Sequence, residues 1–136
     1  MQAKADQYWI VFDKDDTTQE DFVKAVRLAE ENEIRVAWSN QAFECWIIMH
    51  FRKLNHACHR DSYENILRDH IPGYSASEKG EKQGRKLKKM TFPFLQTAID
   101  NAKMGFESFE PGVSVSKMES STRVFELIEK ILEELI

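Results

Sequence analysis

The 136-residue chain predicts an α/β fold with a small, mostly parallel sheet flanked by helices and a helical C-terminal half. Three features carry this reading. Tyr8-Trp9-Ile10-Val11-Phe12 is a continuous aromatic and β-branched run, the pattern of a strand buried on both faces as parallel strands are. A helical stripe follows at i, i+3, i+4 and i+7, formed by Phe22, Ala25, Val26 and Ala29. Ile34 to Trp38 then supplies a second short strand. Strand, helix and strand with short joints make a right-handed βαβ unit.

The remaining elements follow in order. Thr17 and Glu20 have capping-box spacing and set the start of a helix over 18–32. Ser39-Asn40 breaks the chain, and Ala42 to Phe51 is apolar almost all round, as a buried helix is. On it Phe43, Trp46, Ile47 and His50 share one face, while Glu44, Ile48 and Phe51 share another. Residues 52–61 are polar, and a helix is expected over 61–70. Three of the five glycines fall between Gly73 and Gly84, which predicts a loop there. Phe92 to Met104 reads as a helix ending near Gly105, 106–118 as a loop with a short strand at Val113-Ser114-Val115, and Thr122 to Ile136 as a final amphipathic helix. With no repeat and no dividing linker, residues 1–136 read as one domain. A sheet of two parallel strands is too small to stand alone, so further strands are expected from a second copy or from an upstream stretch.

Composition narrows the classes. A net charge of −4 excludes a chain that is cationic throughout. No apolar run approaches the roughly 20 residues of a membrane span. Two cysteines cannot build a disulfide scaffold, and a signal-peptide pattern is missing from the N-terminus, so a cytoplasmic protein is expected. Charge is nevertheless uneven. Residues 78–89 hold six Lys or Arg against two Glu, a balance of +4, which leaves −8 for the rest.

The acids at the end of the first strand are the leading candidates for chemistry. Ligands of open α/β sheets bind beyond the carboxyl ends of strands, where Asp13, Asp15 and Asp16 fall. Crowded carboxylates repel unless a cation neutralises them, and hard oxygen donors suit Mg²⁺. A solvated turn that caps the next helix accounts for the same residues. Glu44, flanked by apolar residues at the start of a helix, emerges at the same sheet edge if the two strands are neighbours. It is a candidate fourth acid, with Asn40 as its amide partner; a favourable place in the helix dipole is the plain alternative. His50 on an apolar face reads as a hydrogen-bonded core residue. His56, Cys58 and His59 lack zinc-site spacing. Lys79, Lys82, Arg85, Lys86, Lys88 and Lys89 suit either phosphate contact or a solvated face.

Phe12-Asp13-Lys14-Asp15-Asp16, together with the block from Ala37-Trp38-Ser39-Asn40-Gln41-Ala42-Phe43-Glu44 to Trp46 and His50-Phe51, resembles the RloB-like family. That family typically shows an hhDxD strand end and a Ser-Asn-Pro-x-Phe-Glu-x-Trp-(apolar)₃-His-Phe block. The resemblance implies a TOPRIM-like fold, a role in anti-phage abortive infection beside an ATPase, bound Mg²⁺ and cleavage of nucleic-acid phosphodiesters. On it Asp13 and Asp15 match the D-x-D, and Asn40, Phe43, Glu44, Trp46 and His50 match the block. Gln41 replaces the usual proline, which reads as a mild change at a helix start. The family's early strand and Cys-Glu-Gly-Glu-like turn have no counterpart before Tyr8, so a shortened member is expected. Two other functions remain open: a haloacid-dehalogenase-type phosphatase, from Asp13-x-Asp15-x-Thr17, and a non-catalytic partner that docks a defence ATPase.

Overall fold

The computed structural model describes residues 7–54, 58–78 and 80–135. Strand β1 (Tyr8–Asp13) is followed by helix α1 (Gln19–Glu31), strand β2 (Ile34–Ser39) and helix α2 (Glu44–Met49). Helices α3 (Tyr63–His70), α4 (Glu81–Thr91), α5 (Leu95–Glu107) and α6 (Val124–Glu134) complete the order. The α/β class, the small parallel sheet and the helical second half are as expected from the sequence.

β1 and β2 pair in parallel, Tyr8 beside Ile34 through Asp13 beside Ser39, so both strands end at one edge. Alternation along β2 divides the interior. Val36 and Trp38 point to α1, where they pack with Phe22, Val26 and Ala29. Trp38 meets Phe22 edge-to-face at 6.0 Å between ring centres. Ala37 points the other way, into a larger core with Cys45, Ile48 and Met49 of α2, Leu67 of α3, Ala98 and Ala102 of α5, and Phe125 of α6. Fully burying each large apolar side chain contributes roughly 1.5–3 kcal/mol, and these two clusters fix where the strand ends lie.

A stretch outside any strand extends the sheet on the β2 side. Ser39 and Thr122 form an isolated antiparallel bridge. The Asn40 N–H donates to the Ser121 carbonyl at 2.9 Å, and the Arg123 N–H to the Trp38 carbonyl at 2.7 Å. Thr122 adds its side chain. Its hydroxyl lies 2.8 Å from that of Ser39, reaches the Trp38 carbonyl at 3.3 Å and accepts the Val124 N–H at 3.2 Å.

Several sequence expectations need correction. β1 is not buried on both faces: Tyr8 is 63%, Ile10 40% and Val11 52% exposed. The cause is that α1 and α6 pack over β2, and no strand among the described residues covers the other edge of β1. The cap of α1 is Thr18, whose hydroxyl accepts the Asp21 N–H at 3.1 Å, one residue later than expected. Ala25 is exposed, and the α1 stripe is Phe22, Val26 and Ala29. Gly84 belongs to no loop, because α4 begins at Glu81 and runs through it, turning Leu87 and Met90 to the core. Likewise α5 continues past Gly105 to Glu107. The strand expected at 113–115 is absent; Val115–Lys117 is a 3₁₀ turn. Among the described residues no helix is long and apolar enough to cross a membrane.

Candidate functional site

The carboxyl ends of the two strands hold most of the candidate residues. Lys14 donates its N–H to the Ser39 carbonyl at 3.0 Å, which continues the β1–β2 ladder by one step. Asp15 then turns at φ +47°, Gln41 at φ +74°, and the Asp15 N–H meets the Gln41 carbonyl at 2.7 Å. Left-handed backbone at two non-glycine residues costs energy and persists only where the surroundings impose it. Gln41 contributes to that imposition. Its side-chain oxygen accepts the Arg60 N–H at 2.7 Å, and its amide donates to the Cys58 carbonyl at 3.0 Å. The replacement of the family's proline is therefore not mild. Proline is locked near φ −65°, so this turn, with Gln41 at φ +74°, is closed to it.

The two strands bring Asp13 and Glu44 together. Asp13 ends β1, and its carboxylate accepts the backbone N–H of Phe43 at the entrance to α2. Glu44 is the next residue. Burial first, and then the Glu44 charge, hold the Asp13 carboxyl above its ordinary value, while the Phe43 amide works the other way. Glu44 is half-buried and accepts the Tyr74 hydroxyl at 3.5 Å. Burial and the Glu44 charge push the Tyr74 phenol up to about 12, so it stays a donor at neutral pH.

Asp15 and Asp16 go elsewhere. The guanidinium of Arg60 pairs with Asp15 through Nη1 and with Asp16 through Nη2. Beside them lies a polar pocket of about 260 Å³ whose lining includes Lys14, Asn40, His59 and Arg60. Asn40 does not partner Glu44 as expected: it is 1% exposed and donates from Nδ2 to the Val115 carbonyl at 2.7 Å. That bond ties the end of β2 to the turn before α6.

Other members of the block serve the core. Trp46 is buried against the His50 ring at 5.0 Å, edge to face. His50 is 5% exposed, and its Nδ1 lies 3.1 Å from the carbonyls of both Trp46 and Ile47. Two carbonyl acceptors require Nδ1 to carry the proton, and burial holds the ring below its ordinary pKa. Phe43 is 37% exposed at the mouth of the site. Lys82, Arg85, Lys86, Lys88 and Lys89 are exposed along α4; Arg85 pairs with Glu81 at 3.2 Å, and Lys86 donates to the Pro72 carbonyl. Lys79 and His56 lie outside the described residues.

Sequence reasoning missed Arg60, Tyr74 and Thr122. Arg60 reaches Asp15 and Asp16 from 45 and 44 residues away, Tyr74 reaches Glu44 from 30 and Thr122 reaches Ser39 from 83, and no local spacing announces such partners.

The donor chemistry bears on Mg²⁺ as follows. Among the described residues no group of three His, Cys, Asp or Glu is placed to hold a metal. Asp15 and Asp16 are engaged with Arg60 and do not fit as they stand. Asp13 and Glu44, near enough for the Glu44 charge to raise the Asp13 carboxyl, are two hard oxygen donors of the kind and number that Mg²⁺ commonly takes from a protein.

A family model described as RloB-like protein matches residues 1–131, and the chain belongs to the RloB-like family. No curated protein and no solved structure matches it.

Proposed function

With membership of the RloB-like family as premise, we propose that this chain is a Mg²⁺-dependent component of anti-phage defence that acts on nucleic-acid phosphodiesters. The observation that supports it is the Asp13–Glu44 pair at the carboxyl ends of two parallel strands, with like charges adjacent and one carboxyl held above its ordinary pKa. Such a pair is costly without a counter-charge, and perturbed acids at a strand-end edge are candidates for function.

In this reading Asp13 and Glu44 would hold the cation, and Lewis-acid chemistry toward a phosphoryl oxygen is what it would supply there. The chain's own residues do the rest. The Phe43 amide orients the Asp13 carboxylate, and the Tyr74 hydroxyl orients that of Glu44. The neighbouring pocket mixes Lys14, His59 and Arg60 with Asp15, Asp16 and Glu119, and Arg60 would meet a phosphate oxygen only on exchanging its two aspartates for it. Exposed Lys82, Arg85, Lys88 and Lys89 offer salt-dependent contacts to the backbone of the same strand.

Titration calorimetry with Mg²⁺, beside Asp13→Asn and Glu44→Gln, tests the platform. Each substitution is expected to weaken binding at least tenfold, and labelled DNA and RNA are expected to be cut only in the wild-type protein with Mg²⁺. Wild-type affinity in both variants would end the proposal.

A further inference from the structure

Strand β1 is half-used. Lys14 points its N–H at β2, so by strand alternation the even residues of β1 face β2 while Trp9 and Val11 turn their N–H and C=O groups to the opposite edge. Among the described residues that edge has no partner strand. It also lacks the protection edge strands normally carry, having no lysine, proline or bulge from Tyr8 to Phe12. Instead it displays Tyr8, Ile10 and Val11, exposed by 63%, 40% and 52%. The apolar surface continues around Trp9 onto α6, where a groove of about 360 Å³ runs to Ile131 and Leu135, themselves 45% and 77% exposed.

We propose that this edge is a homodimer interface in which β1 pairs antiparallel with β1 of a second copy, giving a four-stranded sheet in the order β2-β1-β1-β2. A second copy is favoured over an unrelated partner because the strand is complementary to itself. Gln7-Tyr8-Trp9-Ile10-Val11-Phe12-Asp13 reads polar, aromatic, apolar, Ile, apolar, aromatic, polar from either end. A two-fold axis perpendicular to the sheet keeps each face on its own side, so only residues of the same parity can lie opposite one another. Centred on Ile10, it sets Ile10 against Ile10, Tyr8 against Phe12, Trp9 against Val11 and Gln7 against Asp13. Trp9 and Val11 then exchange both N–H···O bonds, as their outward groups require. Centring on Val11 instead sets Trp9 against Asp13, which wastes the aromatic.

The area agrees. At roughly 150–200 Å² per large apolar side chain, the five exposed ones present on the order of 500 Å². That reaches the roughly 300–600 Å² of the largest apolar patch on a typical monomer, a patch that is often an interaction site. With the strand backbone and the rim added, it approaches the roughly 800 Å² per partner of a standard interface.

Light scattering coupled to size exclusion, run across about 1–100 μM, is expected to give twice the 15.9 kDa of one chain at the upper end. Val11→Lys, an exposed change that leaves the bonds to β2 intact, is expected to return the single-chain mass with an unchanged circular dichroism spectrum. A second measurement fixes the register. In a Cys58→Ser background, Ile10→Cys sits at a non-hydrogen-bonded pair about 4.5 Å apart between Cα atoms, within disulfide reach. It is expected to cross-link under mild oxidation, while Val11→Cys, roughly 8 Å from its copy, is not. A single-chain mass throughout, assemblies that grow beyond two copies, or Val11→Cys linking as fast as Ile10→Cys would each overturn the proposal.

Discussion

Thr122 is a single buried hydroxyl on which the end of β2 depends, and replacing it with valine isolates that dependence. Its proton goes to the Trp38 carbonyl, which leaves the oxygen to accept from the Ser39 hydroxyl and the Val124 N–H. Valine has nearly the same shape, so no cavity forms. The Trp38 carbonyl keeps the Arg123 N–H at 2.7 Å. The Ser39 hydroxyl and the Val124 N–H lose the oxygen they donate to, at a place where Ser39 is 1% and Thr122 0% exposed. A buried polar group stripped of its partner costs about 1–3 kcal/mol, and a buried methyl returns part of that. A net loss of about 2 kcal/mol is expected, or roughly 6–8 °C in Tm for a domain of this size. Urea denaturation of Thr122→Val, Ser39→Ala and the double variant is the assay. The double variant is expected to fall short of additivity by about 1 kcal/mol. Full additivity, or a Thr122→Val loss under about 0.5 kcal/mol, would show that the bridge does not hold the strand.

Two further outcomes follow from the site. The raised Asp13 carboxyl lets the folded chain hold a proton that the unfolded chain has already released. The stabilisation this gives is complete below the ordinary value of 3.8 and is lost as pH rises through the folded pKa. In EDTA, Asp13→Asn is therefore expected to raise the urea midpoint at pH 7, with the advantage shrinking toward pH 4; a constant difference across that range contradicts it. Arg60→Gln frees Asp15 and Asp16 while touching side chains that are 62% and 85% exposed, so stability is expected to change by less than about 1 kcal/mol. Removing one positive charge from beside the site relieves the repulsion that a bound divalent cation feels, a gain on the order of 1 kcal/mol in a water-like dielectric. Mg²⁺ binding is thus expected to tighten roughly five-fold by calorimetry, and weaker binding would mean that Arg60 supports the platform.

What the sequence revealed was what local periodicity encodes. The βαβ unit was legible because Tyr8–Phe12, the Phe22/Val26/Ala29 stripe and Ile34–Trp38 each carry their own period. The cap was misplaced by one residue because Thr17 and Thr18 are adjacent and each has an acid three positions on. Helix α4 was hidden because its apolar side amounts to Leu87 and Met90, with Gly84 and a run of lysines between and around them. The Ser39–Thr122 bridge and the Arg60 pairs join residues 83 and 45 or 44 positions apart. No spacing rule reaches that far. Asp13 and Glu44 are the instructive exception, since their meeting followed from topology: neighbouring parallel strands must finish at the same edge.

That topology also sets the tension in β1. A continuous apolar run belongs in the middle of a sheet, yet β1 is found at an edge, and its last residue carries an acid that burial disfavours. The proposed second copy would relieve the first of these strains and the proposed cation the second. The two demands sit on successive parts of one strand, Tyr8–Phe12 and Asp13, and they draw on different chemistry: main-chain donors and acceptors with apolar surface in the first, a hard cation in the second. They are therefore separable. Loss of pairing through Val11→Lys leaves the Asp13 carboxylate and its Phe43 amide in place, and Asp13→Asn removes the charge while keeping the β1 backbone and the Tyr8–Phe12 side chains that pairing uses.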